Sequence, residues 1–98
     1  MYTDNYAIKI EKNDNVATLL MDCYENMKIN IISLKNIETS IIFAYEFIPM
    51  GHKISLCNIN ANSYIIKYGQ VIGKSKKYIY SGSHVHVHNV INIRASGK

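Results

Sequence analysis

A chain of 98 residues, 48% hydrophobic and 18% charged, with eight tyrosines and one proline, has room for one domain around one core and is too short for a multidomain enzyme. Aromatic and β-branched residues at this density bury enough apolar surface for folding, which excludes a disordered chain. The formal net charge is +4, yet all seven carboxylates lie before position 47. After Glu46 the basic residues Lys53, Lys67, Lys74, Lys76, Lys77, Arg94 and Lys98 stand uncompensated, a field that favours small acids, an acidic protein face or nucleic acid.

No nucleic-acid motif accompanies those lysines, so nucleic acid ranks last among these partners. No apolar run approaches the ~20 residues of a membrane span, and Met1-Tyr2-Thr3-Asp4-Asn5 lacks the layout of a leader, so the expectation is a soluble cytoplasmic protein with no membrane partner. Cys23 and Cys57 form no CxxC pair and read as free thiols in a reducing compartment.

In chain order the periodicity is that of strands. Residues 7–12 alternate apolar and charged, as do residues 28–31. Between them Val16, Leu19, Leu20, Cys23 and Met27 fit a spacing of three and four, the one place where a short helix could form. Residues 40–48 are β-branched and aromatic, and Pro49-Met50-Gly51 ends them in a turn. Strands are expected at 52–59, 64–68 and 84–93, with turns at Asn60-Ala61-Asn62-Ser63 and Ser81-Gly82-Ser83. Short strands with turn signals this frequent predict one all-β domain over residues 1–98, built of bent or curled sheets.

The main chemical signal is the alternation Ser83-His84-Val85-His86-Val87-His88-Asn89. In an extended strand the three imidazoles share a face, and two of them at i and i+2, about 6.5 to 7 Å apart at Cα, can converge on one ion. The sequence alone leaves open a polar strand face of packed histidines. Pro49-Met50-Gly51-His52-Lys53 puts a histidine and a lysine beyond a tight turn, where both reach one ligand only if the chain bends. Gly73-Lys74-Ser75 mimics the end of a phosphate loop, but the preceding glycine spacing and the following helix are missing. Phe43, Tyr45 and Phe47 suit either the core or a contact with a partner or a second copy.

Four segments in order, Asp14-Asn15-Val16-Ala17, Ile48-Pro49-Met50-Gly51-His52-Lys53-Ile54, Ile65-Ile66-Lys67-Tyr68-Gly69-Gln70-Val71-Ile72-Gly73 and Gly82-Ser83-His84-Val85-His86-Val87-His88-Asn89, resemble the SAF-type domain of the altronate and galactarate dehydratases across residues 5 to 92. The resemblance implies a β-clip fold with at most one short helix. It also implies the small subunit, or the domain equivalent, of a hydro-lyase acting with a separate large catalytic subunit, as in the sulfolactate sulfo-lyases. An anionic sugar acid or hydroxy acid and a divalent metal, commonly iron, come with that family. On this reading His86 and His88 are metal ligands, with His84 a weaker third, and His52, Lys53, Lys67 and Asn89 contact substrate. A non-catalytic ligand-binding SAF module is the alternative.

The chain departs from the family pattern at Gln70 and at Asn58, each standing where relatives commonly carry an acid. Elimination from a hydroxy acid needs a base, an electrophile and help for the leaving group. The acid-free second half offers no carboxylate base, so the chain is expected to be inactive alone.

Overall fold

Strand propensity prevails throughout the computed structural model, which describes residues 5–36 and 38–93. Nine strands and no helix occur among them: β1 (Asn5–Lys9), β2 (Val16–Leu19), β3 (Lys28–Ser33), β4 (Thr39–Phe43), β5 (Lys53–Ser55), β6 (Tyr64–Lys67), β7 (Gln70–Ser75), β8 (His84–Val85) and β9 (Val90–Asn92). They form a six-stranded sheet in the order β4-β3-β1-β2-β5-β8 and a three-stranded sheet in the order β6-β7-β9. The pairing of β1 with β3 is parallel and the rest are antiparallel. This is the expected all-β architecture of curled sheets, that of a small β-clip domain. Arg94 and Lys98, counted above among the basic residues, lie outside the described residues.

Two expectations are corrected. The stretch that fitted a helical spacing is β2 followed by a turn. Val16 points into one apolar cluster and Ala17 and Leu19 into the other, so all three are buried, and a strand covered on both faces reads as a continuous apolar run. The final strand is also not continuous over 84–93. It ends at Val85, turns through residues 86–89, and resumes as β9 in the other sheet.

Four turns of one design organise the chain. The buried residues Cys23, Ile48, Ile59 and Ile79 each precede a turn, at residues 24–27, 49–52, 60–63 and 80–83, closed by a bond from the fourth N–H to the first carbonyl. The third residue is Asn26, Gly51, Asn62 or Gly82, with φ of 70, 84, 66 and 86°, the left-handed position that a type II turn requires. The preceding residues pair as Cys23 with Ile48 and Ile59 with Ile79. A residue from elsewhere clasps each turn, accepting from its third N–H and donating to its fourth carbonyl: Ala44, Leu19, Ser75 and Ser55 in that order.

Asp14 and Asn15 join the sheets. Asp14 accepts from the N–H groups of Ile10, Glu11 and Gly69, and Asn15 donates to the Tyr64 carbonyl while accepting from Ile66 N–H. Burial alone would raise the Asp14 pKa, but the backbone N–H donors outweigh it and the net shift is downward. Two apolar clusters fill the interior, one around Leu19, Ile29, Ile48 and Ile54 and one around Val16, Ile65, Val85 and Val90.

Gly82 and Gly51 separate strain from clash. A Cβ on Gly82 would land on the Phe43 carbonyl oxygen, whereas one on Gly51 meets nothing within 4 Å. Gly51→Ala is expected to cost about 1 kcal/mol, the conformational penalty alone. Gly82→Ala is expected to cost more than about 2 kcal/mol, with the turn displaced. Urea unfolding of both variants measures the difference, and equal losses would contradict this packing.

Candidate functional site

Two of the four turns deliver the histidines. The turn at 49–52 ends on His52, the turn at 80–83 is followed by His84, and β5 pairs with β8 in the register Lys53↔Val85 and Ile54↔His84. One step beyond the last pair, that register sets His52 opposite His86. Their ring centroids are 4.4 Å apart, and those of His84 lie 5.0 Å from His52 and 5.3 Å from His86.

Polar side chains outside the histidine group hold this geometry, among them Asn89, which the resemblance assigns to substrate. The Ser55 hydroxyl, fully buried, donates to the Tyr80 carbonyl at 2.8 Å and accepts from Ser83 N–H at 3.0 Å. Asn58 Oδ1 accepts from Ser81 N–H at 2.8 Å, and a Glu46 carboxylate oxygen accepts from His84 N–H at 2.9 Å. Asn89 is buried, with Oδ1 accepting from His86 N–H and Nδ2 donating to the His84 carbonyl. Both ends of that amide are committed to the backbone of residues 84–86. Asn89 N–H also donates to the His86 carbonyl, which closes the turn that ends the strand. A serine hydroxyl leaves no periodic trace in a sequence, and Asn58 drew notice only as a departure from the family pattern.

Of the expected imidazole ladder, His84 and His86 converge, and the third member of the group is His52. One ring nitrogen from each of these three lies within 4.8 Å of the others. His88 does not join them. It lies on the turn at 86–89, with its ring centroid 5.2 Å from that of His84. Lys53, on the opposite face of β5 from His52, lines a cleft of about 100 Å³ with His86, Ile72, Val87, Val90 and Asn92. Lys67 is not among the residues that line this cleft; its ammonium lies 4.9 Å from the Tyr68 ring centroid. Segments 48–54, 64–73 and 82–90 therefore meet, and His86 touches both the histidine group and the lysine cleft.

The electrostatics favour the neutral forms of His84 and His86. Burial, then the other three histidines, lowers the His84 pKa to about 4, with Glu46 opposing. The His86 pKa is lowered by burial and by His52, Lys53 and His88. Burial and then Lys67 lower that of Lys53. Neutral imidazoles offer lone pairs, the form a metal ion requires. Two nitrogens about 2.0 to 2.1 Å from one ion stand about 3.3 to 3.4 Å apart at a tetrahedral angle and about 2.8 to 3.0 Å apart at a right angle; His52 Nδ1 and His84 Nε2, hydrogen-bonded to each other at 2.8 Å, have the second spacing. The three residues thus fit a divalent ion of the kind that takes nitrogen ligands.

Comparison with known proteins agrees with this architecture. Residues 5–92 match the family described as the altronate/galactarate dehydratase SAF domain. The chain is 39% identical over 82 residues to altronate dehydratase of Bacillus subtilis (strain 168), a match covering 84% of this chain and 15% of that protein. It is 37% identical over 78 residues to galactarate dehydratase (L-threo-forming) of Escherichia coli (strain K12), covering 80% of this chain and 14% of that protein. It is 44% identical over 45 residues to (2R)-sulfolactate sulfo-lyase subunit alpha of Chromohalobacter salexigens, covering 46% of this chain and 48% of that one. The chain spans only about one seventh of the two dehydratases. It belongs to the altronate/galactarate dehydratase SAF domain family.

An unfolded histidine takes up its proton below about pH 6.5, whereas folded His84 does so only near pH 4. The unfolded chain binds more protons across that window, so stability is complete above pH 6.5 and declines as the pH falls toward 4. With the partial exposure of the ring discounting the shift, a loss on the order of 1 kcal/mol is expected, or roughly 5 °C in melting temperature for a domain of this size. Melting curves of wild type and His84→Gln across the window check this. The variant should show the shallower pH dependence, and parallel profiles would contradict a neutral His84.

Proposed function

We propose that this member of the altronate/galactarate dehydratase SAF family is the small component of a metal-dependent lyase that eliminates water or sulfite from an anionic hydroxy acid, working with a separate large catalytic chain. One observation carries the reading: three imidazoles gathered from the turn before β5, from β8 and from the turn that follows it, with Lys53 in the cleft that His86 lines, in a chain of this family.

His52, His84 and His86 would hold the divalent ion, iron being the metal that the family resemblance implies. When bound, such an ion supplies Lewis acidity for a developing enediolate or a departing oxygen. The chain's own residues do the rest of what is assigned to them here. Lys53 and Lys67 hold the substrate carboxylate by charge-assisted bonds and set the acid against the His86 side of the cleft. Glu46, Asn58 and Asn89 act as positioning residues, each fixing a backbone group of the segment that presents the histidines. His88, outside the trio, remains free to orient a ligand or a partner group next to His84. Removal of the proton beside the carboxylate needs a base, and that group is assigned to the large chain. The location proposed for the complex is the cytoplasm.

Co-expression with the large lyase chain of the same genome, followed by assays with altronate, galactarate and sulfolactate, tests the reading. The complex should turn over one of these acids, lose activity with a chelator and regain it with a divalent ion. The purified chain alone should be inactive, and measurable turnover by it would sink the assignment of the base.

Within the active complex His86→Ala is expected to lower kcat/KM at least about tenfold, the lower range for loss of a ligand or its support, with unchanged circular dichroism. Lys53→Met should act chiefly on KM, as loss of a substrate-binding charge does. Full activity in His86→Ala would remove the cluster from the site.

A further inference from the structure

A second cleft lies beside the histidine group, and nothing above assigns it a role. It has a volume of about 360 Å³, and its walls include Tyr45, Tyr78 and Tyr80, with Glu46, Lys77 and His88 around them. Tyr45 stacks on Tyr80 at a centroid distance of 5.5 Å, and Tyr78 meets Tyr80 edge-on at 5.0 Å. The three remain 57, 41 and 54% exposed. Rings that pack on one another yet stay this open form a rigid apolar surface that the isolated fold leaves in water. Tyrosine is among the residues enriched as anchors of protein interfaces.

The charges around the rings are unequal. The Glu46 carboxylate already accepts from His84 N–H, Lys77 forms no ion pair among the described residues, and no acid follows Glu46 in the sequence. The complementary surface is therefore apolar with an acidic group placed to meet Lys77. His88 lines this cleft and also neighbours His84, so whatever fills the cleft comes to rest beside the histidine group. That group contains three imidazoles and no carboxylate. In the dehydratase relatives, moreover, the matched segment is only 15 or 14% of the protein, and the remainder is further polypeptide.

We propose that the Tyr45-Tyr78-Tyr80 cleft is the docking surface for the large lyase chain, which presents an acidic, apolar segment to it and so reaches the histidines past His88. The identity of the partner rests on the function proposed above, and the location of the surface rests on the cleft.

The test is titration calorimetry and sedimentation of the purified chain with the large lyase chain of the same genome, recognised by its match to the part of altronate dehydratase outside the 82 aligned residues. Tyr80→Asp is expected to weaken association at least about 20-fold, as loss of an anchor does. Tyr45→Ser serves as a second variant should Tyr80→Asp fail to fold. Lys77→Glu should weaken binding and flatten its salt dependence. Leu34→Ser, at an exposed position outside the cleft, should leave binding unchanged. Wild-type affinity in folded Tyr80→Asp and Tyr45→Ser would overturn the surface while leaving the partner intact. Failure of the wild-type chain to bind, or a genome without such a large chain, would overturn the partner and with it the proposal. A homodimer broken by Tyr80→Asp would overturn it in favour of a second copy.

Discussion

The buried Ser55 side chain sits where the two histidine-bearing segments are joined. Its hydroxyl bonds to both ends of the turn at 80–83, and its backbone N–H and carbonyl clasp the same turn. Four bonds thus converge from one residue, three positions along the chain from His52, onto a turn that ends one residue before His84. In a solvent-excluded setting such bonds are costly to leave unmade, so the separation of the two histidines is set by the backbone rather than by the rings. Ser75 grips the turn at 60–63 in the same way, with its hydroxyl donating to Asn60 and accepting from Ser63 N–H. The other two turns are clasped by Ala44 and Leu19 through backbone alone. The repeated clasp is a structural unit, and the histidines exploit two copies of it.

The site uses both faces of a single strand end. His52 looks toward His84 and His86, Lys53 toward the small cleft, and the turn at 86–89 swings the chain so that His86 touches both. That bend is what lets adjacent residues of opposite facing serve one ligand. It also divides the chemistry: three imidazoles gather on one side of His86 and the Lys53 ammonium stands on the other. Such a division suits chemistry that needs a Lewis acid and an acid anchor at once.

Strand character, turns and the chemistry-bearing residues were legible because they depend on local composition. The alternation in residues 7–12 and 28–31 anticipated β1 and β3, and the Pro-Met-Gly and Ser-Gly-Ser turns lie where expected. What failed depended on partners distant in sequence. β2 mimics a helix because its two faces pack into different apolar clusters and all but Thr18 are buried, and periodicity cannot report packing supplied by distant segments. The His ladder was read as one strand because its alternation is strict. Yet Asn89, placed where its amide can reach back to His84 and His86, stops the strand at Val85 and sends His88 away. The grouping of His52 with His84 and His86 required the β5–β8 register, which no single segment carries. The fourfold turn was within reach of the sequence, since a buried Cys or Ile followed three places on by Asn or Gly occurs at 23, 48, 59 and 79. It was obscured because the clasping residues, Ala44, Leu19, Ser75 and Ser55, share no identity.

The two departures from the family pattern have different physical weight. Gln70 is exposed at the tip of the β6–β7 hairpin, paired with Lys67, so the absent charge there removes a surface anion close to a lysine assigned to substrate. Asn58 uses its amide oxygen to accept from Ser81 N–H, and a carboxylate in its place would accept the same bond. What the turn before His84 requires at position 58 is therefore an oxygen acceptor rather than a charge, and Asn58 supplies it.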